Sequence, residues 1–286
     1  MADSFSFEAI GTGWRVDTGA ALLPGQRSHL LRLAEEYDAL YSRFRTDSGV
    51  MALAAAGGSL PLPPHGADLG RLLRSLYELT GGGVSPLVGD PLAAQGYDAG
   101  YSLTPTQQPA PARAWNDVLT WTDDGLALRE PAILDVGAAG KGQLVDLMVD
   151  YLRAEGHDDV VVDASGDMRR AADGTITVAL EHPYDPTSAI GVVGLGTGAL
   201  CASASNRRAW GDGLHHVLDA RTGRSVDTVV ATWVLAADAM TADGLCTALF
   251  LTDPADLATA FTFDYVLMYS DGRARCSAPL AGALFS

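Results

Sequence analysis

Apolar side chains recur three or four residues apart in QRSHLLRLAEEYDALYSRF (26–44), at Leu30, Leu33, Tyr37, Leu40 and Phe44. That spacing predicts an amphipathic helix. A second helix is expected over ADLGRLLRSLYEL (67–79), stopped by Gly81–Gly83. FSFEAIGTGWRVDTG (5–19) alternates apolar and polar positions and is broken by Gly-Thr-Gly, the pattern of a strand pair or a bent strand. LPLPPHG (60–66) reads as a loop, and 100–115, with its prolines and glutamines, as a surface excursion. AILDVGAAGKGQLVDLMVDYLRAEG predicts a strand, a glycine-rich turn and a helix to about Glu155. DVVVDASGD reads as a buried strand and turn; TITVALEHP, AIGVVGLGT, LHHVLDA, TVVATWVLA and FDYVLMYSDG read as further strands. DAMTADGLCTALF (238–250), just before the last of these, is an apolar helix. Strands that neighbour one another in sequence, irregularly mixed with helices, favour α+β over a doubly wound sheet. The expected architecture is a mixed, largely antiparallel sheet with flanking helices. No internal repeat or composition break divides the chain, so one domain over 1–286 is expected.

Composition narrows the possible partners. The chain has 286 residues, 48% hydrophobic and 19% charged, which is globular and large enough for a sizeable core. A formal charge of −16 argues against a nucleic-acid partner, which needs clustered Lys and Arg. A phosphorylated ligand would have to be held locally, by a few cations, backbone N–H groups or a metal. Cys201, Cys246 and Cys276 are far apart and in no metal-ligand spacing, so they are expected as reduced core residues. No basic start followed by an apolar run opens the sequence, and no uninterrupted stretch approaches the roughly 20 apolar residues of a membrane span. A cytoplasmic protein with no membrane span is the expectation.

Candidate chemistry lies in a few segments. DVGAAGKG (135–142) is not a Walker A loop: Asp135 holds the first glycine position and Gly142 replaces the hydroxyl. It still offers small residues, backbone groups and Lys141 where a helix begins, a place that favours anions. GLGTGA (194–199) matches a loose dinucleotide pattern without the long helix and acidic residue that the pattern needs, and reads as a strand end or turn. If LHHVLDA is a strand, His216 shares a face with Leu218, while His215, Val217 and Asp219 share the other. Histidine suits proton transfer near neutral pH. Asp243 and Thr247, four residues apart, project from one helix face. They suit a hard cation such as Mg²⁺, or else Asp243 complements the helix N-terminus while Thr247 bonds back to the Asp243 carbonyl.

In order, IGTGW, YSRFRTDSGV, TGGGVSPLVG, LDVGAAGKGQLVD, DASGDMR, ASASNRR, HHVLDARTG and DAMTADGLCTALF resemble the ApbE family, the bacterial FAD:protein FMN transferases. The resemblance runs over about residues 10–252. It implies an FAD cleft and transfer of the FMN moiety of FAD to a threonine hydroxyl of an acceptor flavoprotein, with release of AMP. A metal-dependent FAD pyrophosphatase and a non-catalytic FAD-binding protein are the alternatives. By motif match, Ile10 and Phe44 flank the flavin or adenine, Gly83, Val84 and Ser85 lie on a cofactor-contacting loop, and Asp135 and Lys141 contact FAD. Arg221 and Thr222 match positions near the pyrophosphate, and His216 matches the general base. The Ala138 carbonyl, Asp243 and Thr247 match the ligands of a metal, Mg²⁺ or Mn²⁺. The chain departs from the usual Phe-Asp-Pro-Thr at Val84–Leu87, from Ser-Gly-Asp-Tyr at Ser203–Asn206, and from Asp-Pro-Arg at Asp219–Arg221.

Overall fold

The computed structural model describes residues 3–285. Its frame is an eight-stranded sheet in the order Asp3–Ala9, Thr12–Thr18, Val160–Asp163, Asp167–Ala171, Gly198–Ala204, Val229–Ala236, Asp264–Tyr269, Ala274–Cys276. Every neighbouring pair is antiparallel. Both faces are covered, so the central strands are apolar on both sides. In Gly198–Ala204, Ala199 and Cys201 join a core shared with the helices, while Leu200 joins a second core under a β-hairpin. The alternation follows from the two-residue period of a strand.

The helical face is built by Pro24–Tyr41, Gly66–Leu79, Gly140–Ala154 and Ala239–Ala248, whose buried Leu30, Leu73, Leu144 and Leu245 share one core. The other face is closed by the hairpin Ile176–His182/Asp185–Leu195, which lays Leu180, Val193 and Leu195 against Leu200, Trp233 and Val266. GLGTGA is the connection between this hairpin and the strand Gly198–Ala204, with no helix behind it. Cys201 and Cys246 are free and buried, and Cys276 is free and half-buried. No described helix is long and apolar enough to cross a membrane.

Several expectations need correction. The first helix ends at Tyr41, and Phe44 lies beyond it, because Ser42 is extended (φ −73°, ψ 118°) and Arg43 turns inward to polar partners. A short helix, Gly49–Ala56, capped by Ser48, was not foreseen. Part of 60–66 is a strand, Gly58–Pro61, paired with Gly125–Leu128. AILDV joins no ladder; the Asp135 N–H bonds the Pro86 carbonyl of a loop, so apolar content there reflects burial and not pairing. LHHVLDA is broken into Leu214–His215 and Leu218–Asp219, which pair with different partners, and His216 lies between them.

Candidate functional site

The helix Ala239–Ala248 starts where Asp238 accepts a hydrogen bond from the Thr241 N–H and Asp146, from Gly140–Ala154, accepts from the Ala239 and Met240 N–H groups at 2.9 and 2.8 Å. These caps satisfy donors that a helix leaves free at its first turn. One turn further on, Asp243 is 4% exposed and its Oδ2 accepts the Gly142 N–H at 2.9 Å. Thr247, at the next turn, donates to the Ala138 carbonyl at 3.4 Å and not to Asp243. A carboxylate, a hydroxyl and a carbonyl from two segments more than a hundred residues apart therefore converge.

Lys141 stands in the first turn of Gly140–Ala154, ion-paired with Asp167 and donating to the Ala164 carbonyl at 3.3 Å. Asp167 is fully buried. Burial and the neighbouring Asp167 carboxylate push the Asp243 carboxyl well above the usual range, against the opposing effects of Lys141 and the Gly142 N–H. Two buried carboxyl groups thus face one ammonium, which is ion-paired with Asp167; a divalent cation there would favour the ionised form of Asp243. The described residues contain no cluster of three or more His, Cys, Asp or Glu able to hold a metal. One carboxylate, one hydroxyl and one carbonyl match a magnesium-type site, in which phosphate oxygens and water complete the shell. The residues present fit such an ion.

All three donors line one cavity of about 600 Å³, together with Lys141, Asp135 and His216. That volume is ordinary for a small-molecule or cofactor pocket. Gly83, Val84, Ser85 and Phe44 form part of its wall; Glu181 and Pro183 of the covering hairpin form another. His216 is tethered by its N–H to the Arg208 carbonyl at 3.2 Å, and its Nδ1 is buried without a partner among the described residues. Burial, followed by Arg208 and His215, pulls the imidazole down to about 4, so it is neutral at pH 7 with a free nitrogen. His215 is different: its ring Nε2 lies 2.6 Å from the Val226 carbonyl, a contact internal to the fold.

The remaining sequence candidates sit at or beyond the rim. Ile10 is in the turn between the first two strands at φ +42°, and its neighbours Gly11 and Thr12 face the cavity. Arg221 and Thr222 do not line it. The Arg221 guanidinium is occupied by Asp219 (2.7 Å) and the Thr80 carbonyl (3.1 Å), while the Ala220 N–H bonds the Gly83 carbonyl. Arg221 thus ties its turn to the loop that carries Val84 and Ser85. Sequence reasoning did not single out three residues at this site. Arg208 lines the cavity, with the Tyr97 hydroxyl as its side-chain partner and no carboxylate among the described residues. Asp167 balances Lys141, and Arg43 grips Asp135. Only DASGD, a polar end to an apolar strand, carried a signal for Asp167.

A family model described as the ApbE family matches residues 7–264. The FAD:protein FMN transferase of Vibrio cholerae serotype O1 is 30% identical over 227 residues, covering 75% of this chain and 66% of that protein. The protein of the same name from Rhodobacter capsulatus is 31% identical over 220 residues, 72% of this chain and 42% of its own length. The chain therefore matches just under two thirds of the first and less than half of the second. Among solved structures, an ApbE protein from Thermotoga maritima superposes with a TM-score of 0.86 at 19% identity, covering all of both chains. The flavin transferase ApbE from Vibrio cholerae gives 0.77 at 21% identity over 99% of each. These two likenesses establish the fold.

Proposed function

Because a family model spans most of its length, the chain belongs to the ApbE family, and from that membership we propose that it is an FAD:protein FMN transferase. The reaction moves the FMN moiety of FAD to a threonine hydroxyl of an acceptor flavoprotein and releases AMP. The observation that carries this reading is the single cavity in which Ala138, Asp243 and Thr247 converge and His216 presents an unpartnered Nδ1. The names of the relatives from Vibrio cholerae and Rhodobacter capsulatus support it.

The chain's residues divide the work. Asp135 accepts a hydrogen bond from the dinucleotide, and the Phe44 ring packs on one of its planar rings. The backbone of Gly83–Ser85 lines its path. Lys141 and Arg208 supply the positive charge that an acidic chain must concentrate where phosphates lie. The Ala138 carbonyl, Asp243 and Thr247 would hold Mg²⁺ or Mn²⁺, which when bound supplies charge neutralisation at the pyrophosphate oxygens. His216 accepts the proton of the threonine hydroxyl as that oxygen bonds to the FMN-side phosphorus. The bond from that phosphorus to the AMP oxygen breaks, and AMP departs with the electron pair. The product is FMN joined to the acceptor by a phosphoester.

The test is one incubation of the protein with FAD, Mg²⁺ and an acceptor bearing a target threonine. A fluorescent band on the acceptor that survives denaturation, with AMP released in equal amount, is the expected result. FMN and AMP without an adduct would make the enzyme a pyrophosphatase. Unchanged FAD would leave only binding. Asp243→Ala should abolish the metal-dependent signal, and full activity in that variant would refute the metal assignment.

A further inference from the structure

We infer that Arg43 is a positioning residue for FAD binding: it sets the geometry of both Asp135 and Phe44 on the cavity wall. The inference rests on the function proposed above. Arg43 does not line the cavity, and its side chain is 3% exposed. Its Nε donates to Asp135 Oδ2 at 2.5 Å and its Nη1 to the Tyr97 carbonyl at 2.6 Å. Asp135 Oδ1 accepts the Gly137 N–H at 2.7 Å, so both carboxylate oxygens are fixed while the side chain keeps 16% exposure. The guanidinium also lies 4.2 Å from the Phe44 ring centroid and 4.6 Å from that of Tyr97, against a pair of rings that meet edge-on with centroids 5.3 Å apart. Arg43 therefore reaches one polar and one aromatic member of the cavity wall from behind.

Burying a cation is costly, and a buried pair is often no more stabilising than apolar packing of the same volume. A purely structural explanation accounts poorly for a guanidinium in this place. Its guanidinium does what an apolar side chain cannot: Nε holds the carboxylate and Nη1 a carbonyl while the cation lies against two aromatic rings. Burial opposes ionisation of Asp135, but Arg43, the Gly137 N–H and Arg208 together hold its carboxyl below the usual range. Asp135 is thereby kept as an acceptor, oriented toward a ligand's N–H or O–H.

The test is a double-mutant cycle read by FAD affinity, from flavin fluorescence on titrating the full chain with FAD in Mg²⁺. Arg43→Gln should weaken FAD by about tenfold to a hundredfold, the range seen when a partner that orients a binding group is removed. Arg43→Lys, which keeps the charge but loses the fork, should recover only part of that loss. In an Asp135→Asn background, Arg43→Gln should cost less than about threefold, because its target is already changed. If Arg43→Gln alone unfolds, Arg43→Lys takes its place in both arms of the cycle. Wild-type affinity in Arg43→Lys or Arg43→Gln would overturn the inference. Equal losses from Arg43→Gln with and without Asp135 would overturn it too, by showing that Arg43 acts independently of the carboxylate. Failure of the wild-type protein to bind FAD would overturn the proposed function itself, and this inference with it.

Discussion

His216 and Asp167 show how much one residue's environment decides. The dipeptide His215-His216 offers two identical side chains; the family resemblance points to His216, and the fold supplies the physical reason. One imidazole is spent on the Val226 carbonyl; the other keeps an unpartnered nitrogen at the cavity. Burial drives His216 down to about 4, so the neutral, proton-accepting form is present above that value and is lost as pH falls through it. The pH profile of kcat/KM, which reports the free enzyme, should therefore be flat from about pH 5 to 7 on account of His216, with an acid limb near 4. A limb at the ordinary histidine value of about 6.5 would show that His216 is not the base, or is not buried as described. His216→Ala should slow transfer by about 10²–10⁴-fold and leave FAD affinity within a few-fold, measured by single-turnover kinetics and titration. Asp167 was legible only as a polar strand end, because its importance comes from Lys141, 26 positions earlier in the chain.

At the scale of elements, Gly142 is the informative position. Sequence reasoning saw it only as the missing hydroxyl of a phosphate loop. It lies where two helices touch: a Cβ there would fall 2.1 Å from the Ala239 carbonyl oxygen and 2.8 Å from the Asp243 Cβ. The absence of a side chain lets the Gly142 N–H reach Asp243 and lets the start of Ala239–Ala248 dock. Gly142→Ala should destabilise the protein by about 1–3 kcal/mol, the range for overpacking, and should weaken Mg²⁺-dependent turnover by displacing Asp243. A urea melt and a metal titration would check both; wild-type behaviour in each would show that the helices do not meet this closely. Helices and well-patterned strands were readable because their periodicity is local. The broken strand around His216, the unpaired AILDV and the early end of the first helix were not. Each depends on a partner distant in sequence: the segments on either side of His216, the Pro86 loop, and Asp135.

At the scale of the whole molecule, a chain of net charge −16 gathers Lys141, Arg207 and Arg208 around one cavity. A ligand bound there and absent from the unfolded chain stabilises by about 2.7 kcal/mol at a hundredfold excess over its Kd. FAD with Mg²⁺ should thus raise the melting temperature by roughly 5 °C, and chelation of the metal should remove most of the rise. An equal rise with FAD in chelator would argue against metal-assisted binding. By itself the sequence determined the mixture of helices and strands, the acidic character and the order of the motifs, because composition and short-range periodicity are properties of the chain. It also carried the Asp243–Thr247 pair, since four residues on a helix share a face. The family resemblance already implied that Ala138 joins that pair and that His216 is the active histidine; only the tertiary structure decided that Arg221 is already occupied and that Arg43 stands behind Asp135. Those are contacts between distant segments, set by how the helices and the hairpin pack on the two faces of one sheet.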